Sequence, residues 1–150
     1  MPQNFTSAPE NYEIHSFVSE GPDIVVTPAE HKGRGVLHSH SFYEIVYVAE
    51  GFTLHQSCGR ITMLITGDFF FVKPGEVHSY INAYQTKLYN LLFVPAALGD
   101  SFSALSALPG LDEMFSPSGE SLDPTHRLLH VSIGERRNIE SALEKMIGER

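Results

Sequence analysis

Cysteine occurs once in the 150 residues, at Cys58. A single thiol cannot close an internal disulfide, so packing and hydrogen bonds must hold the fold, and nothing points to an oxidising compartment. Cations are scarce as well: ten Lys and Arg against eighteen Asp and Glu leave a net charge of -8 at pH 7. Gripping a phosphate backbone takes clustered basic side chains that displace counterions, so this stretch is not expected to bind nucleic acid by itself. No apolar run approaches the roughly 20 residues that cross a bilayer, and no membrane association is expected. Residues 1–10 lack the basic-then-apolar order of a secretory leader, which makes the cytoplasm the expected location. Internal repeats and low-complexity tracts are missing too.

What is present describes a globular domain. Hydrophobic residues make up 42% of the chain and charged residues 19%, enough apolar content for one buried core at this length. Residues 12–18, 23–27, 36–40, 43–48, 52–56, 61–65, 69–72, 77–81 and 87–93 are rich in Val, Ile, Phe, Tyr and Thr. Turn formers separate them: Gly33-Arg34-Gly35, Glu50-Gly51, Cys58-Gly59, Gly67-Asp68 and Pro74-Gly75. Many short strands at close spacing, without helices between them, predict an antiparallel sandwich or barrel. The organisation is two-part, a β-barrel with an amino-terminal arm over 1–95 and a helical and loop segment over 96–150, in one structural domain. The run Phe69-Phe70-Phe71 reads as a strand with apolar contacts on both faces. Cys58 reads as a small residue flanking a hairpin turn, the alternative being a redox sensor.

In the second part, Asp100 is placed to cap a short helix over 101–108, ended by Pro109-Gly110, and 116–124 reads as surface loop. Ser132 and Glu135 have capping-box spacing. Ile139, Leu143, Met146 and Ile147 follow at i, i+4, i+7 and i+8, predicting an amphipathic helix to the end of the chain. Its apolar stripe packs either on its own barrel or on a partner's matching helix.

The chemistry concentrates in four residues. His38 and His40 are two apart, so on a strand both point to one face. Glu44 opens the next apolar run and His78 follows the Pro74-Gly75 turn. If all four face inward they converge, and neutral imidazoles with a carboxylate suit Zn, Ni, Fe, Mn or Cu. A polar organic ligand would satisfy the same groups. Tyr80 and Asn82 share strand parity with His78 and are further ligand candidates, with barrel wall and turn hydrogen bonding as their plain alternatives. His55 is expected on a strand surface.

These residues carry a resemblance. The stretch from His38 to Glu44, with Gly51 beyond it, resembles the first motif of the cupin superfamily, its leading glycine one residue closer than usual. Gly67 to Asn82, with Gly75 and His78 in step, resembles the second, except that Lys73 stands where proline is usual. More narrowly, "HSHSFYEIVYVAEG", "GDFFFVKPGEVHSY", "LPGLDEMF" and "HVSIGERRNIESALEKMIGER" are similar to the amino-terminal sensor domain of AraC-type transcription regulators, especially sugar-responsive, rhamnose-type members. The resemblance implies an all-β, cupin-type double-stranded β-helix (jelly-roll) barrel followed by C-terminal α-helices. It also implies a small-molecule effector, a sugar by that likeness, a divalent transition metal (Zn, Ni, Fe or Mn) at His38, His40, Glu44 and His78, and a homodimer. DNA would be reached only through a C-terminal domain absent from this chain. The arm over 1–11 would close the barrel mouth or dock on the DNA-binding part. Two other functions stay open: a freestanding metal-dependent cupin enzyme of dioxygenase or sugar isomerase type, and a barrel with a vestigial cluster that only dimerises. For an enzyme the sequence offers no evident extra acid or base beyond Tyr47 or His55.

Overall fold

The computed structural model describes residues 9–12, 24–115 and 127–149. Two long antiparallel strands form its spine, β4 (Tyr43–Ser57) and β7 (His78–Phe93), paired along nearly their whole length. Each changes its other neighbour part-way. The first half of β4 pairs with β6 (Asp68–Val72) and the second half with β5 (Arg60–Ile65). On the far side, β7 pairs over its later half with β2 (Ile24–Gly33), and at His78 with β3 (His38–His40). β1 (Glu10–Tyr12) runs parallel to β3, and β8 (Leu128–His130) adds to β6. Two sheets sharing two bent strands make a jelly roll, the architecture expected from the sequence.

The bend has a local cause. Gly51 has φ +79, and a Cβ there would lie 2.4 Å from the Gln85 carbonyl oxygen. Only glycine lets β4 and β7 approach so closely at that corner. Glu50-Gly51 is therefore a pair of bulges within one strand, not the turn between two strands that its composition suggested. The same corner merges 77–81 and 87–93 into β7, where Gln85 takes φ +43.

Bulges also decide which side chains face inward. Val46, Val48, Leu64, Phe70, Val72, Tyr80 and Leu88 fill the barrel. Tyr43, Phe71 and Phe93 lie on the outer face under Met114 and Phe115. The three consecutive phenylalanines thus serve both faces, Phe70 inside and Phe69 and Phe71 outside.

After β7 come α1 (Pro95–Leu98), α2 (Asp100–Ser106) and α3 (Asp112–Phe115). The expected helix over 101–108 is shorter and starts earlier: Gly99, with φ +50, holds the N-cap, and Asp100 lies within the first turn. β8 was not expected at all. α4 (Ile133–Gly148) has Ser132 at its N-cap, but the hydroxyl donates to the Glu135 carboxylate at 2.8 Å instead of accepting from the backbone. Its stripe packs on its own sheet: Leu143 is buried with Val26 and Tyr47, and Ile139 and Ile147 lie alongside. Met146 remains exposed. Tyr47 donates to Glu140 at 3.0 Å and Tyr89 donates to Glu144, pinning α4 to β4 and β7.

Parts of the expected strands 12–18 and 23–27, most of the arm and the loop over 116–124 fall outside the described residues. None of the described helices is long and apolar enough to cross a membrane.

Candidate metal and effector site

His40 ends β3, Glu44 lies in the first turn of β4's pairing, and His78 opens β7. All three are buried, and one donor atom from each lies within 4.8 Å of the others. The Glu44 Oε2 is 3.2 Å from His40 Nε2 and 3.5 Å from His78 Nε2. The backbone fixes this arrangement from two sides. Gly75 N–H donates to the His40 carbonyl at 2.7 Å, tying the Pro74-Gly75 turn to β3. Glu76 then anchors the turn that leads into His78, because Arg127 donates to it from two nitrogens and Ser57 donates as well.

His38 stands beside this trio. It is opposite His78 in the β3–β7 register, its ring centroid is 4.2 Å from that of His78, and its Nδ1–H donates to the Val36 carbonyl at 3.0 Å. It is half-buried and lies outside the three-donor group.

The donor chemistry fits a cation. His40 Nδ1–H donates to the Phe42 carbonyl at 2.7 Å, since a carbonyl can only accept. His40 Nε2 then faces the Glu44 carboxylate at 3.2 Å, a separation that a shared proton or a metal ion between the two would satisfy. Burial alone would raise the Glu44 pKa, but the His40 bond and the neighbouring imidazoles outweigh it and hold the carboxyl below its ordinary range. Burial drives His78 well below an ordinary histidine, with Glu44 opposing, so the ring is neutral at pH 7. One ionised carboxylate and neutral imidazoles are the ligand forms that transition metals bind.

Above the trio opens a cavity of about 360 Å³ lined by His31, His38, Glu44, Tyr80 and Asn90 among others, with no lysine or arginine among the described residues of its wall. The Tyr80 hydroxyl and the Asn90 Oδ1 are buried, with no hydrogen-bond partner among the described residues. Burial, then Glu44, pushes the Tyr80 pKa well up, so it stays a neutral donor. The His31 ring lies tilted against Tyr80, with 4.7 Å between the ring centroids. Tyr12, at the end of the arm, lines the same cavity and meets the His38 ring at 5.4 Å.

Residues 21–147 match the sequence model of the AraC-like ligand binding domain family. This chain is a member of that family. The AraC-like domain is 30% identical over 107 residues to the HTH-type transcriptional activator RhaR of Klebsiella pneumoniae subsp. pneumoniae, covering 71% of this chain and 36% of the relative. Over 82 residues it is 32% identical to RhaR of Mannheimia succiniciproducens, covering 55% and 30%. It therefore spans about a third of the length of these relatives. An RmlC-like cupin from Shewanella frigidimarina superposes with a TM-score of 0.45 at 27% identity, over 49% of this chain and 68% of that one.

Within the AraC-like domain, Tyr80 reaches the cavity but Asn82 does not: it is exposed, and its carbonyl accepts from Thr53. Leu54 pairs with Asn82 and His55 with Tyr80, so Ile81 is an extra residue that reverses the parity counted from His78. The irregularities at Glu50-Gly51 correct the expectation for His55: Val46 and Val48 are buried before them and Thr53, His55 and Ser57 after them, so the inward parity of β4 changes there. His55 is fully buried, with Nε2 3.0 Å from His78 Nδ1, and burial, then Arg127 and His38, lowers its pKa to about 3. In 52–57 the apolar Phe52 and Leu54 alternate with Thr53, His55 and Ser57, and the polar set faces inward. That inversion hid His55 from a reading by hydrophobicity. Asn90 carried no sequence signal beyond its place in a strand.

Proposed function

We propose that this chain is the effector-sensing and dimerisation part of an AraC-type transcription regulator, which reaches DNA through a C-terminal domain outside this sequence and works in the cytoplasm. The effector is a small neutral polyol, with a sugar as the leading class. One observation carries the ligand class: a cavity of about 360 Å³ lined by Tyr80 and Asn90, whose hydroxyl and side-chain carbonyl have no partner among the described residues, with no lysine or arginine among the described residues of its wall. Buried orphan donors and acceptors are costly unless a ligand satisfies them, and a polyol presents both kinds.

His40, Glu44 and His78 hold a divalent transition metal, Zn, Ni, Fe or Mn, and His38 stands close enough to join when its ring turns. The metal orders the cavity floor and offers coordination to ligand hydroxyls. Binding, not turnover, is the role. The membership of the family and the name shared by the relatives support the regulator reading. β8, from the C-terminal segment, pairs with β6 of the barrel, which supports treating the chain as one structural unit.

The test is a thermal-shift and calorimetric screen of neutral monosaccharides against the purified chain, with and without added zinc. A sugar that raises Tm in the wild type, with the shift lost in Tyr80→Phe and Asn90→Leu, is the expected result. Consumption of that sugar, or a response confined to carboxylic acids, overturns it.

A further inference from the structure

Two ring nitrogens meet inside the barrel where the metal reading needs only one. His40 and His78 are prepared for a cation in different ways. Phe42 imposes one tautomer on His40, because its carbonyl accepts from Nδ1–H at 2.7 Å. The Nδ1 of His78 instead faces His55 Nε2 at 3.0 Å, and an imidazole nitrogen can either give or accept a hydrogen bond. Both rings are fully buried, and the outward nitrogens, His55 Nδ1 and His78 Nε2, have no hydrogen-bond partner.

Two proton arrangements are therefore open to the pair. In the first, His55 Nε2–H donates to His78 Nδ1, and His78 carries its own proton on Nε2, directed at the Glu44 carboxylate 3.5 Å away. In the second, His78 Nδ1–H donates to His55 Nε2, His78 Nε2 turns a lone pair towards Glu44 and His40, and the proton of His55 sits on Nδ1. Each arrangement keeps two protons on two neutral rings, so passing between them changes no net charge.

We propose that His55 is the positioning residue of this site: it sets the ring plane and tautomer of His78, and its own two-faced nitrogen lets His78 Nε2 carry a proton without a metal and turn a lone pair to the ion with one. The inference rests on the reading that His40, Glu44 and His78 take a divalent metal. The surroundings fit a fixed ring. Phe70 meets His55 edge-on at 4.5 Å, and Tyr80, its partner across the ladder, lies 5.3 Å away. A carbonyl or carboxylate partner, the usual orienter of a ligating histidine, would lock one arrangement; a second imidazole does not.

The experiment uses the whole chain as wild type, His55→Leu and His55→Gln, with zinc and cobalt as probes. Affinity is read by calorimetry and by the visible absorption of bound cobalt, folding by circular dichroism, and tautomers by nitrogen-15 spectra of the imidazoles. Leucine should weaken zinc binding about 10- to 100-fold, and glutamine, whose side-chain oxygen accepts from Nδ1–H, should restore most of it. In the wild type the His78 proton should move from Nε2 to Nδ1 when zinc is added. Zinc binding in His55→Leu equal to that of the wild type, or a His78 proton on one nitrogen in both states, overturns the role of His55 alone. Failure of the wild type to take up either ion overturns the metal reading with it. Should His55→Leu not fold, the wild-type spectra and His55→Gln decide.

Discussion

His55 on β4 lies opposite Tyr80 on β7, one residue away from where an unbroken ladder would set it. Both side chains face into the barrel, and the offset falls just beyond them, where it turns Asn82 outward. His55 reaches the His78 ring, while Tyr80 faces the cavity beneath His31.

Replacing His40 with alanine removes the one ligand whose tautomer the backbone fixes. Bound zinc, measured by elemental analysis after dialysis, should fall to background in His40→Ala, since losing even an outer partner of a metal ligand weakens affinity about 10- to 100-fold. Unchanged metal content would remove His40 from the ligand set.

Arg127 and Glu76 form an ion pair with both side chains nearly inaccessible, one nitrogen at 2.9 Å and the second closer. Arg127→Met leaves the Glu76 carboxylate buried with Ser57 and the Lys73 N–H as donors. Breaking such a pair costs about 3–5 kcal/mol, to be read from urea unfolding. The double variant with Glu76→Gln should recover a large part of it. A loss below about 1 kcal/mol in Arg127→Met would show the pair to be dispensable.

Tyr47 predicts an alkaline weakness. Burial, then its bond to Glu140, raises the phenol from 10.0 to about 12. The neutral form is favoured only in the folded chain. The stabilisation is therefore complete below pH 10 and is lost as pH climbs towards 12. Unfolding midpoints measured from pH 9 upward should fall more steeply for the wild type than for Tyr47→Phe; parallel curves would contradict the assignment.

Gly51→Ala tests the corner of the two sheets. A methyl group there would meet the carbonyl oxygens of Gln85 and Tyr84 at 2.4 and 2.5 Å, in a backbone conformation with φ +79. Left-handed strain alone costs roughly 1–2 kcal/mol, and the clash adds to it. Soluble expression should drop, with any folded fraction melting well below the wild type. A wild-type melting temperature would show that the corner can relax.

The trio His40, Glu44 and His78 was legible because its information is local: a two-residue period, a turn former and a strand start. An antiparallel sandwich or barrel was legible from the density of short β runs, and the jelly roll from the motif resemblance. Bulges were not, since Ile81 sits in a run with no glycine or proline to mark it and turned Asn82 outward, while the irregularity at Glu50-Gly51 turned His55 inward. Gly51 misled in the opposite direction, because a glycine that bends a strand looks the same in sequence as one that ends it. Arg127 and Glu76 are 51 residues apart, so only the fold brings them together. Whether the α4 stripe would cover its own barrel was equally hidden, as an amphipathic face records that it is covered and not by what.

Glu44 and Tyr47 sit three positions apart on β4 and look in opposite directions, one into the cavity and the other onto α4 through Glu140. The partition between a guest molecule and α4 is thus a single ribbon of peptide, thinner than the side chains on either side of it. The side chain that lines the cavity and the one that anchors α4 thus share one short stretch of backbone.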